Sequence, residues 1–429
     1  MQVTEHFDII IIGAGASGLL AARELTRVKL GVLILEAQDR IGGRMYTNFP
    51  EGFTAPIESG AEFVHGDAPI SLELLEEADL KYTEMKGNTY QAHNDSVEKK
   101  DFFDSDWEVL LKALKTLHYD MPFSQFLDTH FKDAKYKDLR DNVKRFVEGY
   151  NAADIEKVSS MALREEWSEE EDPAQYRIKG GYTMLYDFLA AEVEINGGII
   201  RLNQKVTEIR WTKNRVEVNV GLKKYQARKC LVTIPVSVLQ TESIAFVPAI
   251  PDVISASKKI GFGPVVKINL EFRIPFWESE TERKFKALQF LFTDEAIPTW
   301  WSQVPDTRPL LTGWIGGPGA ERLRLTDQEI FELALQSLVN AFKHPKHKIQ
   351  EHLLAWKVDQ WIHNEFSMGA YSYEMVGTPQ AVSVLEKPVD DTLYFCGEAI
   401  YAGPYKGTVE AALTSGRDAA KRILIHAKN

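Results

Sequence analysis

Phe7-Asp8-Ile9-Ile10-Ile11-Ile12-Gly13-Ala14-Gly15-Ala16-Ser17-Gly18 is a β-branched, apolar run that breaks at a glycine and passes at once into a GxGxxG spacing. Residues 7–12 predict a strand. Ser17 to Val28 then carries apolar residues at helical spacing, and Val32-Leu33-Ile34-Leu35 predicts a second strand. Together they form a βαβ unit. Its strands are apolar throughout and do not alternate, which predicts a parallel sheet covered on both faces.

In that setting each part of the motif has a physical task. Gly13 allows the tight turn, Gly15 lets a pyrophosphate approach the backbone, and Gly18 lets helix and strand pack closely. The helix N-terminus at Ala16 and Ser17 supplies free amides and a partial positive charge. Glu36 ends the second strand, where its carboxylate can accept hydrogen bonds from a ribose 2′-hydroxyl and repel a 2′-phosphate. A dinucleotide site on a Rossmann-like fold is therefore expected, with NADP disfavoured. The fingerprint does not separate NAD from FAD, but Arg40-Ile41-Gly42-Gly43-Arg44 follows at once. It brings two guanidiniums and two flexible positions to where a second phosphate and a ribityl chain could be reached, which favours FAD.

The rest of the composition narrows the class. A chain of 429 residues with 44% hydrophobic and 26% charged residues is a globular protein with more than one core. Its net charge is −12, and its one basic run, Lys343 to Lys348, reads as a solvated loop, so nucleic acid is not an expected partner. Cys230 and Cys396 stand alone, without a CxxC or Cys/His spacing, so neither a disulfide framework nor a metal site is expected. No signal-like N-terminus, no stretch of 18 apolar residues and no apolar tail is seen, which predicts a cytoplasmic protein that does not engage a membrane.

The periodicity predicts an interleaved α/β architecture, α+β in its substrate part. Residues 1–66, 195–260 and 385–429 are assigned to the Rossmann-like FAD-binding domain. Residues 67–194 and 261–384 are assigned to a mixed-sheet and helical substrate domain, with a helical insertion at about 67–171. Lys205–Trp211 and Arg215–Val220 read as paired strands. Val265–Phe272 and Leu310–Trp314 read as further strands, and Asp327–Phe342 as a helix capped by Thr326.

Several segments resemble the flavin-containing amine oxidases, the group of monoamine oxidases, polyamine oxidases and flavin histone demethylases. They are Glu36-Ala37-Gln38-Asp39-Arg40-Ile41-Gly42-Gly43-Arg44, Ile57-Glu58-Ser59-Gly60-Ala61-Glu62-Phe63-Val64-His65-Gly66, Tyr394-Phe395-Cys396-Gly397-Glu398-Ala399 and Gly407-Thr408-Val409-Glu410-Ala411-Ala412. The form with His65 is most similar to polyamine oxidases. The resemblance implies that Ala37, Arg40, Gly43 and Arg44 close over the ADP moiety and that Gly60, Ala61 and Glu62 lie along the isoalloxazine. It implies that Val206 meets adenine, that Gly397 and Glu398 reach the ribityl or ribose hydroxyls, and that the helix N-terminus at Thr408 and Val409 faces the flavin pyrimidine. Ala370 stands where monoamine oxidases carry the cysteine of the covalent link, which implies a noncovalent FAD.

At the reacting end, Lys267 is one cation in an apolar strand. By alternation it could be an exposed strand residue, whereas the resemblance implies the family's lysine that holds a water at flavin N5. By the same resemblance Tyr371 is one wall of an aromatic cage, with Tyr405 or Tyr401 as the other. His65 is either a packed histidine or a channel group titrating near neutrality, and the Glu62 side chain either meets a cationic substrate tail or faces solvent. Trp300, Trp301, Trp356 and Trp361 read as core or pocket lining. The expected activity is amine oxidation: a hydride passes from the amine α-carbon to the flavin, giving imine, then aldehyde and hydrogen peroxide, with molecular oxygen as acceptor. A carotenoid desaturase-like or protoporphyrinogen oxidase-like enzyme, or a noncatalytic FAD-binding scaffold, is the alternative.

Overall fold

The computed structural model describes residues 5–93, 96–99, 105–168, 174–279 and 285–427. His6–Ile12 and Val32–Leu35 pair in parallel, with Ile10 opposite Leu33, and the helix Ala16–Arg27 joins them. They belong to an eight-stranded sheet ordered Ile199–Arg201, Val32–Leu35, His6–Ile12, Lys223–Val232, Arg215–Val220, Glu208–Thr212 and Ala245–Val247, with Leu393–Phe395 beside Lys223–Val232. The unbroken apolar runs arise because this sheet has two covered faces. Ile9, Ile11 and Ile34 pack under the helices Ala16–Arg27, Thr183–Ile195 and Val409–Ala427, while Ile10, Ile12, Leu33 and Leu35 enter a second core with Val253, Val382 and Leu385. The antiparallel pair Glu208–Thr212 and Arg215–Val220 has one wet face, and accordingly alternates.

A second, seven-stranded sheet runs Leu353–Gln360, Val265–Phe272, Leu310–Gly316, Thr299–Trp301, Leu288–Thr293, Asn88–His93 and Ser96–Lys99. The helix Asp327–Phe342 covers one face, packing Ile330, Leu335 and Leu338 on Val266, Ile268 and Leu270. Its N-terminus is closed by a capping box between Thr326 and Glu329. The other face of Val265–Phe272 looks toward the first sheet and builds the site. The α/β class with a Rossmann-like part is thus observed.

Three features differ from expectation. The stretch 67–171 is not helical throughout: Tyr82–Glu84, Asn88–His93 and Ser96–Lys99 are strands, and the last two extend the second sheet. Asn88–His93 pairs locally with Ser96–Lys99 and joins the sheet through Leu288–Thr293, about two hundred residues along the chain. The helices Pro69–Glu77 and Thr183–Ile195, within the range assigned to the substrate domain, pack instead on Val409–Ala427 and Ala16–Arg27. Glu410 ties the first of these down, accepting from the amides of Ile70 and Ser71 and from the Ser71 hydroxyl. Within the basic run, Lys346 begins a short helix to His352 instead of continuing as loop.

Candidate active site

A cavity of about 2470 Å³ lies between the two sheets. Gly13, Gly15, Ala16, Ser17, Glu36, Ala37, Gly43, Arg44, Gly60, Ala61, Glu62, Val206, Gly397, Glu398, Thr408 and Val409 line it, together with His65, Lys267 and Tyr371. Gly18 and Arg40 do not. A Cβ on Gly18 would strike the carbonyl oxygen of Gly13, so this glycine serves the crossing of helix and strand. Arg40 turns its guanidinium onto the carbonyls of Ile41 and Gly43 and stacks over Tyr46 at 3.8 Å, bracing its own loop.

One end of the cavity is made of backbone. Gly15 faces open space, with nothing within 4 Å of a Cβ built there, and no side chain caps the helix that starts at Ala16. Its first amides therefore meet the cavity, as an anionic diphosphate requires. Glu36 is held by the amides of Ala14 (2.7 Å) and Gln38 (2.9 Å). Arg44 joins Glu398 at 2.7 Å and the Ala370 carbonyl at 2.8 Å, and Ser372 donates its hydroxyl to the other Glu398 oxygen. The donors, the bare backbone and the length of the cavity fit a flavin dinucleotide.

The other end is made of side chains. Along Val265–Phe272 the residues facing the cavity side are Lys267, Asn269 and Glu271, and each grips the segment 54–62. Glu271 accepts from the amide and hydroxyl of Thr54. Asn269 donates to the Glu58 carbonyl at 3.3 Å, and Lys267 donates to the Gly60 carbonyl at 3.1 Å. Lys267 is 1% exposed, so the exposed-strand reading does not hold for it. Its ammonium also meets the Glu62 carboxylate at 2.8 Å, and Arg177 meets the other oxygen of Glu62 at 3.0 Å. Burial alone would raise the Glu62 pKa. The two cations overcome it and hold the group at about 2. The Glu62 side chain is thus neither solvent-facing nor free for a substrate tail.

An aromatic wall runs past this lysine. Ring centroids step from His65 to Phe63 (6.0 Å), Trp301 (5.7 Å), Trp314 (5.8 Å) and Tyr371 (6.3 Å), the last two nearly parallel at 16°. Trp314 lies opposite Lys267 in the strand register. The helix Lys137–Gly149 pins both end rings through its unsatisfied terminal carbonyls: the Trp314 indole donates to Gly149 at 2.8 Å, and the Tyr371 hydroxyl donates to Tyr150. Tyr405 lines the cavity, but Tyr401 does not and folds against Gly403. Of the four tryptophans, Trp301 and Trp361 line the cavity, while Trp300 and Trp356 pack in the core of the second sheet.

Burial pulls His65 down to about 4, so its imidazole is neutral at neutral pH, and its Nδ1 has no partner among the described residues. Glu58 is raised to about 7 by burial, against hydrogen bonds from the Tyr182 amide and Thr47. On the wall beyond Tyr371 stands Glu166, whose two carboxylate oxygens accept from the Asn151 amide. Glu165 and Glu374 lie nearby and share Lys406, which is 2.7 Å from Glu374. Trp314, Arg177 and Glu166 were not singled out from sequence. The reading of Leu310–Trp314 as a strand held the only hint of Trp314, and nothing local marks the other two.

The sequence profile described as flavin containing amine oxidoreductase matches residues 16–424. Polyamine oxidase 4 of Oryza sativa subsp. japonica is 29% identical over 97% of this chain and 89% of its own length. Polyamine oxidase 2 of Arabidopsis thaliana is 26% identical over 98% of this chain and 89% of its own. A wild-type putrescine oxidase bound to putrescine superposes with a TM-score of 0.83 at 21% identity, covering 99% of this chain and 100% of that one. With the profile spanning nearly the whole chain and both polyamine oxidases aligned end to end, the chain belongs to the flavin containing amine oxidoreductases, and is a flavin-dependent amine oxidase.

Proposed function

We propose that this chain holds FAD without a covalent bond and oxidises small amines that carry a second cationic centre, with molecular oxygen as acceptor, in the cytoplasm. One observation carries the reading: a buried lysine, Lys267, lies on the same cavity as the glycine fingerprint and faces an aromatic wall. When bound, FAD supplies the hydride acceptor and the electrons for dioxygen, so that amine, oxygen and water become aldehyde, released amine and hydrogen peroxide.

The residues of this chain bind and orient. Trp314 and Tyr371 offer aromatic faces to the amine and exclude water around its α-carbon. Lys267, tied to Gly60, presents its ammonium beside the segment Gly60–Glu62, where it can hold a water. The N-terminus of Val409–Ala427 brings partial positive charge to the opposite rim. Glu165, Glu166 and Glu374 outnumber their neighbour Lys406 on the far wall, which suits the distal ammonium of a diamine or polyamine. Polyamine oxidases among the relatives and the putrescine oxidase among the solved structures agree in kind with this reading. Ala370 offers no thiol for a thioether, and two unpaired, buried cysteines suit a reducing compartment.

The test is anaerobic flavin bleaching and peroxide release with spermine, putrescine and benzylamine, in wild type and Lys267→Met. Bleaching by the di- and polyamines, with slower reoxidation in the variant, is expected. A yellow protein that no amine bleaches overturns the proposal.

A further inference from the structure

Arg177, on the strand Gln175–Ile178, has no place in the reading above, yet all three of its guanidinium nitrogens are engaged at the site. Nε donates to Glu62 at 3.0 Å, Nη2 to the Ser302 carbonyl at 2.7 Å and Nη1 to the Val304 carbonyl at 3.2 Å, with the Phe63 ring beneath. Glu62 therefore stands between two cations, with Gln303 at 3.4 Å as a further donor. One anion would suffice to pair a buried lysine. The arginine returns the positive charge that Glu62 removes and fixes the carboxylate in its rotamer.

We propose that Arg177 is a positioning residue: through Glu62 it aims the Lys267 ammonium at the Gly60 carbonyl and leaves one positive charge in excess beside the segment 60–62. The inference rests on the reading of Lys267 as the group that assists flavin reoxidation. The charged and titratable groups facing Glu62 are Lys267 from Val265–Phe272, Arg177 from Gln175–Ile178 and Glu58 from its own segment. With Arg177 in place Glu62 stays ionised above about pH 2 and adds no step to a profile between pH 5 and 9.

The experiment uses the holoenzyme with Arg177→Gln, Arg177→Lys, Glu62→Gln/Arg177→Gln, Glu58→Gln/Arg177→Gln and Lys267→Met. It reads the equilibrium affinity for sulfite, an anion that adds to oxidised flavin, and the pH dependence of reoxidation by oxygen. Arg177→Gln keeps amide donors but loses the charge; sulfite affinity falls about tenfold, and reoxidation gains an acid-side inflection that the wild type lacks, because one of the two cations holding the Glu62 carboxyl down is gone. That inflection survives Glu58→Gln and vanishes with Glu62→Gln, and Arg177→Lys restores both readouts. Wild-type sulfite affinity and an unchanged pH profile in Arg177→Gln, or changes that Arg177→Lys does not reverse, overturn the proposal. Lys267→Met reoxidising at the wild-type rate instead overturns the reading of Lys267, which separates the two failures.

Discussion

The two ends of the cavity are built on opposite plans. The end that suits the nucleotide is led by backbone near the N-terminus, the turn at Gly13–Gly15 and the loop Arg40–Arg44, whose Gly42 forms a bridge with Gly15. The reacting end consists of side chains, and Glu62, Arg177, Lys267, Trp314 and Tyr371 come from five separate segments, a loop and strands of three different sheets. Backbone recognition needs particular φ, ψ and the absence of a side chain, so it is written locally. Side-chain recognition needs only a tertiary address, so it can be rewritten piece by piece, and substrate choice belongs to that end.

Variants can break this comparison, and the largest effect falls on the backbone end. Gly18→Ala drives a Cβ into the Gly13 carbonyl and costs about 3 kcal/mol of stability, read as a lowered melting temperature. Gly15→Ala meets open space and melts as wild-type apoprotein, while its flavin affinity falls. Equal melting of the two alanine variants would refute the distinction. At the other end, Lys267→Met slows flavin reoxidation about a hundredfold in stopped flow and leaves anaerobic bleaching within a few-fold of wild type.

Smaller effects sharpen the division within the reacting end. Tyr371→Leu lowers kcat/KM about twentyfold for all amines, since the ring serves any substrate. Glu166→Gln raises KM for putrescine about tenfold and leaves benzylamine unchanged. Last, Thr326→Ala removes a capping box on a helix that touches no substrate and costs about 1 kcal/mol, with kcat and KM unchanged.

Much of this could be read in advance where the signal is local. Residues 7–18, Val265–Phe272 and the capped helix Asp327–Phe342 declare themselves through apolar runs, glycines and a Thr-x-x-Glu spacing, and the structure has them within a residue or two. Lys267 is ambiguous because alternation places it with Val265 and Asn269, on a face that could be exposed, and the docking of residues 54–62 buries that face. Asn88–His93 escapes notice because its run Asn-Thr-Tyr-Gln-Ala-His is mostly polar and its place in the sheet rests on the distant Leu288–Thr293, and Arg177 because an arginine in a polar strand looks solvated until Glu62 is placed against it. Arg40 shows the converse: a cation at a suggestive position can be consumed by the carbonyls of its own turn.

The polar face of Val265–Phe272 also bears on how the molecule comes together. Its grips on residues 54–62 span 205 to 217 positions of chain, so the later strand must be in place before the earlier segment can settle. Contacts of such long range close late. A nascent chain therefore completes its reactive centre only once Val265–Phe272 has been made and docks on the earlier segment. Loss of that docking on heating would abolish turnover ahead of global unfolding.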